Sequence, residues 1–130
     1  MSEYVLDTHA CLFALAAPAK LGRKARSALR RADELGETVW LPVAAVAEVV
    51  MLKELGRTEL GLPALREAFA GTCWRFLPLD LDQLDEFAAL TGIRDPFDRL
   101  IVAATRRTGA KLISRDRRLS ETGLVDITWS

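Results

Sequence analysis

Four acidic residues occupy positions from which their carboxylates could act together. Asp7 and Asp116 follow short apolar segments, YVL and KLISR, while Glu48 and Asp98 lie within helical patterns. If those segments are neighbouring parallel strands and the helices cover the same sheet edge, the four carboxylates converge. Converging like charges repel, so such a pocket favours a hard cation such as Mg²⁺, which binds carboxylate and substrate phosphate oxygens. The pattern indicates metal chemistry on phosphates.

Three of these acids also have an ordinary structural interpretation. Asp95, which a proline follows, is typical of a helix N-cap, and Asp98 stands where a capping-box acid reaches back to the cap. Asp7 and Asp116 each precede a helix-start or turn sequence and can be caps as well. For these positions the sequence leaves capping and metal binding open.

Glu48 is harder to explain as a structural residue. The positions one turn away on its helix are apolar, so no polar stripe leads the carboxylate to solvent. Burying an unpaired carboxylate costs several kcal/mol. Glu48 therefore needs either an ion pair with an arginine, or a cation or a solvated cleft.

Turn residues divide the chain into short strands that alternate with helices. The predicted strands are EYVLD, TVWLP, WRFLPL, AKLISR and LVDITW. The predicted helices are THACLFALA, GRKARSALRRADEL, VAAVAEVVMLKEL, PALREAFAGT, DLDQLDEFAAL and the segment that begins at Pro96. Such alternation predicts an α/β fold, with a short, mostly parallel sheet covered by helices on both faces. No repeat or linker interrupts residues 1–130, so we expect a single domain.

The composition limits the possible functions. Half of the 130 residues are hydrophobic, and 18 basic residues balance 18 acidic ones, so any polyanion must be bound by local patches. The start of the chain lacks a secretory signal pattern, and the longest apolar stretch is too short to span a bilayer. Cys11 and Cys73 show no metal-ligand spacing and are interpreted as reduced core thiols. We therefore expect a soluble cytoplasmic protein with no membrane contact.

Other catalytic chemistries fit the sequence less well. His9 is the single histidine and no cysteine–histidine cluster accompanies it, which argues against zinc. Thr8 and Ser114 supply hydroxyls near the acids, but no histidine base is placed to make either a nucleophile. The basic residues of segment 23–31 are interpreted as a solvated helix face. The arginines that flank the acids are the candidate phosphate contacts: Arg94, Arg99 and Arg115.

Four stretches, YVLDTHACLFAL, PVAAVAEV, RDPFDRLIVAAT and LISRDRRL, resemble the PIN-domain ribonucleases, most closely the VapC-type toxins of bacterial toxin–antitoxin pairs. They occur in the same order over nearly the whole chain. The resemblance implies a PIN-like three-layer fold in which Asp7, Glu48, Asp98 and Asp116 are the catalytic metal ligands. Asp98, rather than Asp95, matches the catalytic aspartate of the family. Thr8 resembles the hydroxyl residue after the first acid, and Ser114 replaces a more usual threonine.

The resemblance also implies an activity and partners. The activity is hydrolysis of RNA phosphodiester bonds with Mg²⁺, or with Mn²⁺, at the four-carboxylate site. The implied partners are a cognate antitoxin protein, an RNA substrate and a second copy of the chain. The apolar helix from Val43 to Leu55 is compatible with a partner-binding surface, although an ordinary core helix would have the same composition.

Two other functions remain open at this point. A housekeeping RNA-processing PIN nuclease would keep the same acids without a toxin role. A magnesium-binding receiver domain of a phospho-signalling pathway would need an acidic pair after the first strand and a lysine after the last one, and the sequence has neither.

Overall fold

Five short strands form one sheet in the computed structural model, which describes residues 2–130. The strands are β1 (Tyr4–Leu6), β2 (Val39–Pro42), β3 (Trp74–Leu77), β4 (Lys111–Ile113) and β5 (Ile127–Thr128). Their order across the sheet is β3-β2-β1-β4-β5, and every neighbouring pair is parallel. The α/β prediction with a mostly parallel sheet is confirmed. The chain builds outward from β1 to β3 on one side and then adds β4 and β5 on the other, which makes β1 and β4 a switch point in strand order.

Within residues 2–130, seven helices connect and cover the strands. They are α1 (Thr8–Ala16), α2 (Arg23–Leu35), α3 (Val43–Glu54), α4 (Leu62–Phe69), α5 (Leu81–Ala89), α6 (Pro96–Thr108) and α7 (Arg117–Thr122), with a short 3₁₀ turn at Pro18–Lys20. The start of α6 follows the predicted signal, because the Asp95 carboxylate accepts a hydrogen bond of 3.0 Å from the backbone N–H of Asp98. The helix ends at Gly109, whose φ of 70° is the left-handed conformation of a helix C-cap.

The core lies against the centre of the sheet. Val5 and Leu6 of β1, together with Leu112 and Ile113 of β4, are fully buried because both faces of the inner strands are covered. Cys11 is a free thiol in this core, and burial raises its pKa to about 12, so it stays protonated and unreactive at neutral pH.

No helix within residues 2–130 is both long enough and apolar enough to cross a lipid bilayer.

Candidate metal centre

Strand pairing brings the first two acids together. Leu6 of β1 lies opposite Ile113 of β4, and the backbone N–H of Asp7 donates a hydrogen bond of 3.2 Å to the Ile113 carbonyl oxygen. Asp7, which directly follows β1, therefore lies next to the segment Ser114–Asp116, which follows β4. Both acids stand at the carboxyl edge of the sheet, at the switch in strand order.

Two helices bring the other two acids to the same edge. Glu48 lies in the second turn of α3, which begins directly after β2, and Asp98 lies in the first turn of α6. One cavity of about 190 Å³ is lined by seven residues: Asp7, Thr8, His9, Glu48, Asp95, Asp98 and Asp116. The four acids singled out in the sequence thus share one cavity with the Thr8 hydroxyl.

Burial and mutual repulsion perturb the carboxyl groups of this cavity. The pKa of Asp98 is raised to about 6, mainly by desolvation and further by the negative charges of Asp95, Asp116, Glu48 and Asp7. Burial also raises the pKa of Asp7, although hydrogen bonds from the Ser114 hydroxyl and the Ala10 N–H oppose that shift. Because negative charge is unfavourable in this site, a bound cation would stabilise the ionised carboxylates.

Two of the acids act both as helix caps and as cavity residues. The Asp7 carboxylate accepts a hydrogen bond of 2.8 Å from the N–H of Ala10, and Asp116 accepts one of 2.9 Å from the N–H of Arg118. Because each capping bond uses one carboxylate oxygen, the other oxygen remains available. Capping and metal binding are therefore compatible at these positions.

The capping-box interpretation of Asp98 is not supported. In residues 2–130, no hydrogen bond joins the Asp98 carboxylate to the backbone N–H of Asp95. Its side chain instead lines the cavity. The structural role at this helix start belongs to Asp95.

Glu48 is half-buried rather than enclosed, and it has a polar neighbour. Its Oε1 accepts a hydrogen bond from the Thr8 hydroxyl. The described part of the chain contains two ion pairs, Arg106–Glu86 and Arg107–Asp82, and neither involves the four acids. The ion-pair explanation of Glu48 is therefore wrong, which leaves a cation or a solvated cleft.

The donor atoms of the cavity fit a hard divalent ion in their chemistry. They are carboxylate and hydroxyl oxygens, the ligands that Mg²⁺ and Mn²⁺ prefer. In the arrangement observed, however, no group of three or more His, Cys, Asp or Glu side chains within residues 2–130 is placed so that it could hold an ion. Ion binding in this cavity therefore requires some of its side chains to adopt other positions.

The three candidate arginines lie in different places. Arg94 lines an adjoining cavity of about 450 Å³ together with Asp98 and Asp116. The Arg115 guanidinium lies over the Phe13 ring, 4.7 Å from its centroid. Arg99 instead faces α5, where its Nε donates a hydrogen bond of 2.8 Å to the Phe87 carbonyl oxygen and its guanidinium lies 4.1 Å from the Phe87 ring centroid. Of the three candidates, Arg94 is the one that lines a described cavity together with predicted metal ligands.

Two cavity residues were not identified as site residues from the sequence. Asp95 was interpreted as a cap only, and His9 was considered only as a possible zinc ligand. The sequence signal that could have identified His9 is its position two residues after Asp7, in the first turn of α1. It lines both the acidic cavity and a second cavity of about 350 Å³ between α1 and α3.

The sequence and the fold were compared with those of known proteins. Residues 4–124 match the PIN domain family. The chain is 31% identical over 137 aligned positions to ribonuclease VapC22 of Mycobacterium tuberculosis (strain ATCC 25618 / H37Rv), with 92% of this chain and 91% of that protein covered. Its fold is similar to that of VapBC2 from Rickettsia felis bound to a DNA fragment from their promoter (TM-score 0.73, 13% identity, 98% and 99% of the two chains). It is also similar to that of a toxin–antitoxin complex from Klebsiella pneumoniae (TM-score 0.63, 17% identity, 94% of each chain). With this match over most of its length, the chain belongs to the PIN domain family.

Proposed function

We propose that this PIN domain is a divalent-metal-dependent endoribonuclease that acts as the toxin of a type II toxin–antitoxin system. The observation that carries the proposal is the convergence of Asp7, Glu48, Asp98 and Asp116, from four separate elements, on one cavity. Its repulsive character supports the proposal, since the other three acids help to raise the pKa of Asp98. The named relative, ribonuclease VapC22, supports the choice of reaction.

The four carboxylates are the proposed ligands of Mg²⁺, with Mn²⁺ as an alternative ion. The chemistry that the ion supplies when bound is stabilisation of charge on the phosphoryl group and a water with a lowered pKa. The hydroxyls support the ligands. Thr8 holds Glu48 by a hydrogen bond, and the Ser114 Oγ accepts a 3.0 Å hydrogen bond from the N–H of Asp116. The Ser114 hydroxyl also acts to lower the pKa of Asp7.

Arg94 is the proposed phosphate contact next to the metal ligands. Its side chain is exposed and lines the cavity that continues from Asp98 and Asp116. An RNA phosphate in that cavity would offset the repulsion between the substrate and the acidic site. Arg99, which contacts the Phe87 carbonyl and ring, is left with a packing role in this proposal.

The nuclease activity is tested with purified protein and a labelled single-stranded RNA. We expect cleavage with Mg²⁺ or Mn²⁺, none in EDTA, and a loss of about a hundredfold or more in Asp98→Asn, because removing a ligand forfeits several kcal/mol of charge stabilisation. Asp80→Asn is the matched control, since Asp80 caps α5 in the same way that Asp95 caps α6 but lies outside the cavity. Equal cleavage by wild type and Asp98→Asn would refute the proposal and indicate a contaminating nuclease.

The toxin role needs a separate test in cells. Induced expression of the chain is expected to arrest growth, and co-expression of the protein encoded next to it is expected to relieve the arrest and to co-purify with the chain. Cleavage in vitro without growth arrest would favour the housekeeping RNA-processing alternative. Sequencing of RNA ends after induction would identify the target and the bond that is cut.

Self-association is proposed through α3. Val43, Met51 and Leu55 of this region are 38%, 48% and 65% exposed, which is unusual for large apolar side chains on a helix. Ala47, on the same line of the helix, is exposed as well. An exposed apolar stripe of this kind can pair with its own copy about a two-fold axis, the commonest symmetry of homo-oligomers.

A further inference from the structure

The ring of Phe13 in α1 holds two cationic side chains at once. The Arg115 guanidinium lies 4.7 Å from the ring centroid, and Lys20 Nζ lies 5.7 Å from it. Both distances are within the range in which the negative face of an aromatic ring attracts a cation. Phe13 itself is 9% exposed, so the ring is a support beneath the cations rather than an open stacking surface.

These two cations have no acidic partner in the described part of the chain. Both side chains are exposed, and neither takes part in an ion pair. They come from different elements, since Lys20 ends the 3₁₀ turn and Arg115 lies between Ser114 and the proposed metal ligand Asp116. Both charges lie close to the same ring, so an anion beside that ring is attracted by both.

The cationic pair lies next to the acidic cavity. The His9 ring is 6.2 Å from the Phe13 ring, centroid to centroid, and His9 lines the acidic cavity. His9 and Glu48 also line the cavity between α1 and α3, which contains Phe13 and, at its rim, Arg57. The two cavities share His9 and Glu48, so His9 lies between the acids and Phe13 on the path that we consider for an RNA strand.

We propose that Lys20 and Arg115, supported by Phe13, form a phosphate subsite for the RNA backbone on the His9 side of the cleavage site. This inference rests on the proposed nuclease function and adds a second phosphate contact to it, because Arg94 lines a different cavity, together with Asp98 and Asp116. The Arg115 guanidinium is already held against the ring, so it loses little conformational freedom when it binds a phosphate. The subsite explains how a chain with balanced charge could retain a polyanion beside four carboxylates.

The test measures RNA affinity rather than cleavage. In an Asp98→Asn background, which keeps the RNA intact, binding of a fluorescent single-stranded RNA is followed by anisotropy over a series of salt concentrations. Lys20→Ala and Arg115→Ala are each expected to raise Kd about fivefold or more. Each should also reduce the slope of log K against log salt by about 0.7, the value for one lost phosphate contact on a single strand.

Two matched controls are exposed cations elsewhere. Lys111 lies at the opposite, amino-terminal end of β4, and Arg30 lies on the solvated face of α2. Alanine at either position is expected to change Kd less than twofold. Phe13→Leu keeps the site apolar but removes the ring face, and it is expected to weaken binding as Lys20→Ala does, provided that its melting curve shows a folded protein.

The possible outcomes separate this inference from the proposed function. If Lys20→Ala and Arg115→Ala bind RNA as tightly as the two controls do, the subsite is refuted even when the wild type cleaves RNA. If both variants weaken binding while the wild type never cleaves, the subsite stands and the nuclease proposal fails.

Discussion

The Thr8 hydroxyl donates a hydrogen bond to Glu48 Oε1 and so joins the first turn of α1 to the second turn of α3. The two residues are 40 positions apart in the sequence, and both line the acidic cavity. Thr8 is almost completely buried, so its side chain is fixed by packing. The bond therefore makes a half-buried carboxylate part of the site instead of leaving it free to turn to solvent.

Thr8 is predicted to be a positioning residue for Glu48. Thr8→Val keeps the shape but removes the donor, and we expect kcat for RNA cleavage to fall about tenfold, which corresponds to about 1.4 kcal/mol. Thr8→Ser keeps the hydroxyl and is expected to retain most of the activity. A Thr8→Val enzyme with unchanged kcat, at a melting temperature close to that of the wild type, would contradict the prediction.

The raised pKa of Asp98 predicts an unusual dependence of stability on pH. In the unfolded chain the group titrates near 3.8 and in the folded chain near 6, so the folded state binds more protons between these values. Stability contributed by protonated Asp98 is present at low pH and is lost as the pH rises through about 6. We therefore measure the melting temperature of the wild type minus that of Asp98→Asn, in EDTA. This difference is expected to fall as the pH rises from 4 to 6. A difference that stays constant over this range would argue against the shift.

Ion binding should reverse that trend. Mg²⁺ requires ionised carboxylates, so its binding releases protons from Asp98 and stabilises the folded state. We expect Mg²⁺ to raise the melting temperature more at pH 7.5 than at pH 5.5, by differential scanning fluorimetry. Asp98→Asn should lose most of this increase, and Asp80→Asn should keep it. An equal increase in Asp98→Asn would place the ion elsewhere.

We predict a structural role for Asp95 and a catalytic role for Asp98. Asparagine is also a good N-cap, so Asp95→Asn should keep both the fold and cleavage within a few-fold of the wild type. Asp95→Ala, which removes the capping acceptor, is expected to cost about 1 kcal/mol of unfolding free energy in urea titrations. Loss of cleavage in a fully folded Asp95→Asn variant would instead make Asp95 a member of the metal site.

Arg94 and Arg99 are predicted to respond differently to the same substitution. Arg99→Ala removes the hydrogen bond to the Phe87 carbonyl and the contact with the Phe87 ring, so it is expected to lower stability by about 1 kcal/mol while KM for RNA stays unchanged. Arg94→Ala is expected to raise KM several-fold with little change in stability. If Arg99→Ala raised KM and Arg94→Ala lowered stability instead, Arg99 would be the substrate contact.

Met51→Glu tests the α3 stripe. A buried carboxylate at the centre of an apolar interface has no partner, so the variant is expected to be monomeric by light scattering while its cleavage of RNA persists. Lys53→Gln removes a charge from the same helix on the face away from the stripe and serves as the control. If the variant still dimerises but no longer binds the antitoxin, the stripe belongs to the antitoxin interface.

Local sequence signals located nearly all of the elements and the acids. The strands around Val5 and Leu112, and the Asp95–Pro96 start of α6, were predicted because alternation, buried runs and capping chemistry operate within a few residues. The same local character explains why Asp7 and Asp116 remained ambiguous. A capping acid and a metal-binding acid are flanked by the same residue types, so local sequence does not distinguish the two roles.

What the sequence could not provide was the environment of each side chain. The strand order that places β4 beside β1, the half-exposure of Glu48 and the contact of Arg99 with Phe87 all depend on elements far apart in the chain. The pairing of Lys20 and Arg115 over Phe13 likewise had no signal in the spacing of these residues.

The order of the residues is enough to indicate a parallel α/β domain with acids at its strand ends and helix starts, because hydrophobic periodicity and capping are local properties. Which acids share a cavity, which arginine lies beside it and which one is held against α5 follow from the folded arrangement, because electrostatic and packing energies depend on distances in space.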